Sequence, residues 1–81
     1  MITVELFTKD GCSLCHEARV VLDRVRADHP FHLTTTDLQP GDIFFEQYCE
    51  SVPVLHVNGT FFCRFKIDED SFRDKLLSLS Q

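Results

Sequence analysis

The chain has 81 residues, of which 43% are hydrophobic and eight are phenylalanine, which is enough apolar material for one domain spanning residues 1–81. Its formal net charge of −5 argues against nucleic acid or an anionic membrane surface as a partner, because both require basic patches. No apolar run approaches the roughly 20 residues of a membrane span, and no secretory signal is visible. We therefore predict a cytoplasmic protein, in whose reducing compartment the four cysteines are not structural disulfides.

The first half of the chain alternates strand and helix patterns. Apolar and polar residues alternate over residues 2–6 before Phe7, and we interpret residues 2–7 as a buried strand. Apolar residues then recur at helical spacing over residues 13–28, and Pro30 ends this helix. The β-branched stretch at residues 31–36 predicts a second strand. Because a helix joins these two strands, we expect them to be parallel.

The second half of the chain predicts a short helix, a hairpin and a last helix. The short helix would be capped by Gly41 or Asp42 and run to about Cys49. Asn58-Gly59 is a strong two-residue turn between strands at residues 53–57 and 60–65. Asp68 is the expected N-cap of the last helix. The order β-α-β-α-β-β-α predicts an α/β fold, in which a mixed four-stranded sheet carries helices on both faces.

Two cysteines stand where the first strand gives way to the first helix. Cys12 and Cys15 are three residues apart on the first turn of that helix, so their thiols can close a small disulfide. The unpaired N–H groups and the positive dipole end of a helix N-terminus favour a thiolate. Because the thiolate is the species that attacks disulfides, the placement of these residues predicts thiol–disulfide redox chemistry.

The element order and two sequence motifs together resemble the glutaredoxin branch of the thioredoxin superfamily. The first motif is Cys12-Ser13-Leu14-Cys15 at the head of the first helix, and the second is Ser51-Val52-Pro53 directly before a strand. The resemblance covers essentially the whole chain. More narrowly, the chain is similar to the small glutaredoxin-like proteins with a C-S-L-C site. This resemblance implies a thioredoxin-like fold of the glutaredoxin type and a function in dithiol–disulfide exchange.

The resemblance also implies roles for the matching positions. Cys12 would be the nucleophile, and Cys15 would be the resolving thiol one turn deeper. Pro53 resembles the cis-proline of the family, which faces the dithiol, and the backbone of Val52 would then pair with substrate as an added strand. Lys9 resembles the basic residue upstream of the site that favours a thiolate or binds a carboxylate of glutathione.

The chain departs from the typical family pattern at two places. Ser13-Leu14 separates the cysteines where the family often has Pro-Tyr or Gly-Pro. Phe65-Lys66-Ile67 stands where typical glutaredoxins carry a Gly-Gly pair near bound glutathione. We expect no resident cofactor and leave glutathione open as a co-substrate. The predicted partner is a protein or small-molecule disulfide, and the chain is expected to be a monomer.

Two functions of other classes remain open at this stage. Cys12, Cys15 and His16 could bind zinc with Cys49 or Cys63, although structural zinc usually pairs two closely spaced ligand couples. The two cysteines could also hold an iron–sulfur cluster. The fold could also act only as an interaction module without redox turnover. We interpret Cys49 and Cys63 as packing residues. We interpret His16 as an exposed helical residue. Residues 12–16 also match the attachment motif of c-type haem, but we reject this interpretation because no export signal is visible.

Overall fold

The computed structural model describes residues 2–80 and confirms the mixed four-stranded sheet with helices on both faces. The first and last residues of the predicted 1–81 domain lie outside the described residues. The seven elements follow the predicted order. They are β1 (Thr3–Thr8), α1 (Ser13–Asp28), β2 (His32–Asp37), α2 (Phe45–Tyr48), β3 (Val54–Val57), β4 (Thr60–Arg64) and α3 (Glu69–Leu79).

The strand order β2-β1-β3-β4 makes β1 a central strand of the sheet. β1 pairs with β2 in parallel and with β3 in antiparallel register. β4 pairs with β3 as the second half of the predicted hairpin, and a register shift between Leu55 and His56 bends this pair. Cys12 follows β1 after a short turn. The dithiol therefore lies near the C-terminal end of β1, the strand between β2 and β3.

The main hydrophobic core lies between the sheet and the pair α1 and α3. β1 and β3 turn alternate residues toward this face, so that Val4 lies opposite Val57 and Leu6 opposite Leu55. The helices contribute buried side chains at helical spacing. No helix in the described part of the chain is long and apolar enough to cross a membrane. The helical side chains in this core are Ala18, Leu22, Val25, Phe72 and Leu76.

A second, aromatic cluster covers the opposite face of the sheet beneath α2. Phe7 and His56 project from the sheet, and the rings of Phe44 and Tyr48 pack over them. The Tyr48 hydroxyl and His56 Nε2 are 3.1 Å apart and buried, so each satisfies the other's hydrogen-bonding capacity. Tyr48 is buried in this cluster, and Phe44 and Phe45 are half-buried against it.

The short helix is smaller than predicted. The carboxylate of Asp42 accepts a hydrogen bond from the Gln39 N–H at 2.8 Å, so it closes a turn instead of capping a helix. The helical residues are only Phe45–Tyr48, with Phe44 at the N-cap position and no side-chain cap. The prediction that Gly41 or Asp42 caps this helix is therefore wrong, because a local turn uses the Asp42 carboxylate and the helix begins only after Phe44.

The sheet also differs from the prediction at its strand ends. Phe31 lies one residue before β2, and its side chain is buried against the Phe72 ring at a centroid distance of 5.7 Å. Pro53 precedes β3, and Phe65 follows β4 with a positive φ of 67°, which ends the strand one residue early. Asp68 is the N-cap of α3 as predicted, and it accepts hydrogen bonds from two backbone N–H groups.

An ion network joins α3 to α1. Glu69 contacts Arg24 of α1 at 2.7 Å and Arg73 of its own helix at 3.1 Å, and Arg73 also contacts Asp28 at 2.9 Å. The Arg24 hydrogen bond is the largest cause that holds the pKa of Glu69 below its ordinary value. Glu69 is half-buried, whereas Asp68 and Asp70 beside it are exposed.

This network predicts a pH-dependent contribution to stability. A carboxyl whose pKa is lowered by folding stabilises the fold above the unfolded pKa, and this contribution disappears as pH falls through the folded pKa. We therefore expect Glu69→Gln to lower the free energy of unfolding at pH 7 and to have a smaller effect at pH 3. Urea unfolding at both pH values measures the difference. The matched control is Asp74→Asn, which removes an exposed α3 carboxylate that makes no ion pair within residues 2–80. Equal losses for Glu69→Gln at both pH values would contradict the assignment.

Candidate active site

The turn between β1 and α1 places Cys12 at the N-terminus of α1. Gly11 has a positive φ of 78°, a conformation that glycine adopts without strain. The N–H of Cys12 then donates to the carbonyl oxygen of Lys9 at 3.3 Å, and Cys12 has the extended backbone of an N-cap residue. Its side chain therefore takes the position that serine or aspartate usually occupies at a helix start.

Cys12 and Cys15 form a disulfide in this structure, with their Cα atoms 5.3 Å apart. The backbone N–H of Cys15 also points at Cys12 Sγ, with a donor-to-sulfur distance of 3.1 Å. Cys15 is buried, with 7% of its surface exposed, whereas Cys12 is half-buried. The outer sulfur is thus the one that a bulky reactant reaches first, and it is also the one that receives the N–H group.

The loop before β3 lies against the outer sulfur. The Val52–Pro53 peptide bond is cis. The carbonyl oxygen of Val52 lies 3.9 Å from Cys12 Sγ, although 40 residues separate the two positions in the chain. The N–H of Phe65 donates to the carbonyl oxygens of Pro53 at 2.8 Å and of Ser51 at 3.3 Å, so the end of β4 holds this loop in place.

A polar depression of about 420 Å³ opens on the β2 side of the dithiol. Both cysteines line it, together with Lys9, His16 and Asp37. Asp37 accepts a hydrogen bond from the Thr8 hydroxyl across the β1–β2 pair. His16 is exposed, as predicted. The structure thus gathers every sequence-predicted site residue around the disulfide, with Lys9 on one side and the Val52–Pro53 loop on the other.

The remaining two cysteines are not disulfide-bonded and differ from the pair at the helix start. Cys63 on β4 packs against the main core, and burial raises the pKa of its thiol to about 11. Cys49 follows α2 and is half-buried. Within residues 2–80 no three histidine, cysteine, aspartate or glutamate side chains lie close enough together to hold a metal ion.

The fold and the site define a class of protein. The structure has a four-stranded sheet of order β2-β1-β3-β4 and a Cys-x-x-Cys disulfide at the start of α1. A loop with a cis-proline lies against this disulfide. These are the features of a dithiol protein with the thioredoxin fold. Residues 3–77 match the family model described as "Glutaredoxin-like domain (DUF836)". The chain therefore belongs to this glutaredoxin-like family, and the resemblance drawn from its motifs is confirmed.

Individual proteins show the same relationship. The "Glutaredoxin-like protein YDR286C homolog" of Dictyostelium discoideum is 29% identical over 75 residues, which cover 85% of this chain and 69% of that protein. The solution structure of protein Ne2328 from Nitrosomonas europaea has a TM-score of 0.80 at 21% identity and covers 91% of this chain and 89% of its own. Oxidised thioredoxin O2 from Arabidopsis thaliana has a TM-score of 0.69 at 17% identity, covering 100% of this chain and 76% of its own. The two solved structures establish the thioredoxin fold.

Sequence reasoning missed two features near this site. His56 lies within an apolar strand, a signal that it needs a buried partner, but nothing local identifies Tyr48 as that partner. Phe65 carries no sequence signal for its left-handed backbone, because phenylalanine rarely adopts a positive φ. Both features depend on contacts between different elements: α2 with β3 for His56, and the end of β4 with the loop before β3 for Phe65.

Proposed function

We propose that this protein is a thiol–disulfide oxidoreductase, in which Cys12 is the nucleophile and Cys15 the resolving thiol. The observation that supports this most directly is the position of Cys12 Sγ. It caps α1, faces the Cys15 N–H at 3.1 Å and lies 3.9 Å from the Val52 carbonyl oxygen. A negative charge on this sulfur is stabilised both by the N–H group and by the positive end of α1.

The proposed exchange has two steps. The Cys12 thiolate attacks one sulfur of a substrate disulfide, so that a mixed disulfide forms and the other substrate sulfur leaves as a thiolate that takes up a proton. Cys15 loses its proton and attacks Cys12 Sγ, which closes the Cys12–Cys15 disulfide and releases the second substrate thiol. The substrate gains two electrons and two protons, and the protein dithiol is oxidised. An external thiol, either glutathione or the dithiol of a reductase, must then reduce the protein.

The neighbouring residues would orient the substrate. The Val52 backbone, held by the cis Pro53 loop, would pair with an extended substrate segment as an added strand. Lys9 lines the depression beside both sulfurs and would favour the thiolate or a substrate carboxylate. We propose that the exchange proceeds without a resident cofactor. The substrate would be a protein or small-molecule disulfide, with glutathione as a candidate co-substrate.

The rate of alkylation of the fully reduced protein tests this proposal. With iodoacetamide and site-by-site mass spectrometry from pH 5 to pH 10, we expect Cys12 to react well before the other three thiols at pH 7. Cys63 is the internal control, because its pKa of about 11 leaves it protonated at neutral pH, and its rate should rise only at the alkaline end.

Two results would contradict the proposal. Equal, slow alkylation of Cys12 and Cys49 at pH 7, together with no reduction of any disulfide, would favour an interaction module. Stoichiometric zinc or iron in the purified protein, lost together with Cys12 reactivity, would favour a metal-binding role.

A further inference from the structure

A second depression runs along α1 and begins at Leu14, the residue that lies between the two cysteines in the chain. We call it the α1 groove; it has a volume of about 320 Å³ and lies between α1 and the segment that joins β4 to α3. Three of its apolar side chains are well exposed: Leu14 at 40%, Phe65 at 44% and Val20 at 46%. Apolar exposure of this kind in one groove beside a reactive site is typical of a binding surface. The apolar side chains that line it include Leu14, Ala18, Val21, Phe65 and Ile67.

Phe65 is held in the groove by a strained backbone. Its φ of 67° lies in the left-handed region, which bulky side chains rarely adopt and which glycine would occupy without strain. The two hydrogen bonds from its N–H to the Ser51 and Pro53 carbonyls fix this conformation. The exposed ring packs against the Arg64 guanidinium, 5.4 Å from the ring centroid. Backbone strain maintained by its surroundings clusters at ligand clamps and active sites, which points to a role for this side chain.

One end of the α1 groove is adjacent to the dithiol. Leu14 stands between the two cysteines in the chain, and the Phe65 N–H donates to the carbonyl oxygen of Pro53. Pro53 directly follows Val52, whose carbonyl oxygen lies 3.9 Å from Cys12 Sγ, so a substrate joined to Cys12 would have neighbouring residues within reach of this end of the groove. The groove follows α1 from Leu14 to Arg24, about 15 Å at the rise of an α-helix. An extended segment of about four residues fits that length.

The rim of the α1 groove carries balanced charges. Arg24 is paired with Glu69 at 2.7 Å, and Glu17 and Lys66 carry opposite charges. The rim therefore offers no net attraction to a charged substrate, whereas the apolar walls favour an apolar one. Glutathione has two carboxylates and no bulky apolar side chain, so it matches these walls less well than a polypeptide does.

We propose that the α1 groove selects polypeptide disulfides that carry a bulky apolar residue close to the reacting cysteine, and that Phe65 and Leu14 contact that residue. This inference rests on the proposed oxidoreductase function and specifies its substrate class. Burial of one leucine-sized side chain against these walls, relative to a serine, predicts a rate advantage of about tenfold.

The test compares two disulfide-linked peptides that are identical except for leucine or serine two residues from the cysteine. Pre-reduced protein is mixed with each peptide, and the second-order rate constant of reduction is measured, with glutathione disulfide as a third substrate. We expect the leucine peptide to react about tenfold faster than the serine peptide and faster than glutathione disulfide. In Phe65→Gly and in Leu14→Ala this ratio should fall toward one. Leu77→Ala is the matched control, because Leu77 is an apolar α3 residue with 47% exposure that does not line the groove, and it should keep the ratio.

The outcomes separate this inference from the proposed function. A ratio near one in the unmodified protein, an unchanged ratio in both groove variants, or a preference for glutathione disulfide would overturn the inference while leaving disulfide exchange intact. Failure to reduce any of the three substrates would instead refute the oxidoreductase function. Thermal unfolding of Phe65→Gly serves as the folding check, and its midpoint should not fall, because glycine relieves the strained φ.

Discussion

Cys12→Ser is expected to reduce the rate of disulfide reduction to the uncatalysed background. A serine hydroxyl stays protonated at neutral pH and is a far weaker nucleophile toward sulfur, so the mixed disulfide does not form. The fold should persist, because serine is a favourable N-cap and keeps the position at the start of α1. Reduction of a small disulfide by the pre-reduced protein measures the rate, and far-UV circular dichroism checks the fold.

Cys15→Ser is the matched variant and should behave differently. Cys12 retains its position at the helix start and still attacks the substrate, but nothing then displaces the product, so the mixed disulfide accumulates. Intact-protein mass spectrometry should detect one added substrate half on Cys15→Ser and none on Cys12→Ser. If the adduct appeared on Cys12→Ser instead, the roles of the two cysteines would be reversed. Equal turnover by both variants would reject the dithiol mechanism.

The largest expected effect on stability comes from the centre of the main core. Phe72 has no exposed surface and contacts the rings of Phe31 and Phe62 at centroid distances of 5.7 and 5.9 Å. Truncation of such a side chain removes buried apolar area and leaves a cavity, which costs about 3–5 kcal/mol. Because whole-domain stability is only about 5–15 kcal/mol, Phe72→Ala should lose a large share of it. Urea unfolding followed by circular dichroism measures this loss.

Leu77→Ala on the same helix provides the comparison for Phe72→Ala. Its side chain is largely exposed, and a surface change of this kind usually stays within about 0.5 kcal/mol. A loss below about 1 kcal/mol for Phe72→Ala, or equal losses for both variants, would show that the α1–α3 core does not dominate the stability of this domain.

Much of the fold could be predicted from local patterns. The helical spacing of residues 13–28 and the cap at Asp68 give α1 and α3 nearly to the residue, since both patterns act within one or two turns. The hairpin at Asn58-Gly59 follows from the φ preferences of its turn residues. The short helix was predicted less well. There Asp42 could serve either a turn or a helix start, and the choice depends on contacts outside the segment.

The sequence by itself determined that a Cys-x-x-Cys pair stands at the start of a helix after a strand, because strand, turn and helix signals are local. It also indicated that Pro53 and Lys9 belong to the same site, through the family resemblance. Only the tertiary structure placed the Val52 carbonyl 3.9 Å from Cys12 Sγ and gave Phe65 its left-handed backbone beside the α1 groove. These features arise from hydrogen bonds and packing between segments far apart in the chain. Local sequence propensities contain no information about such contacts.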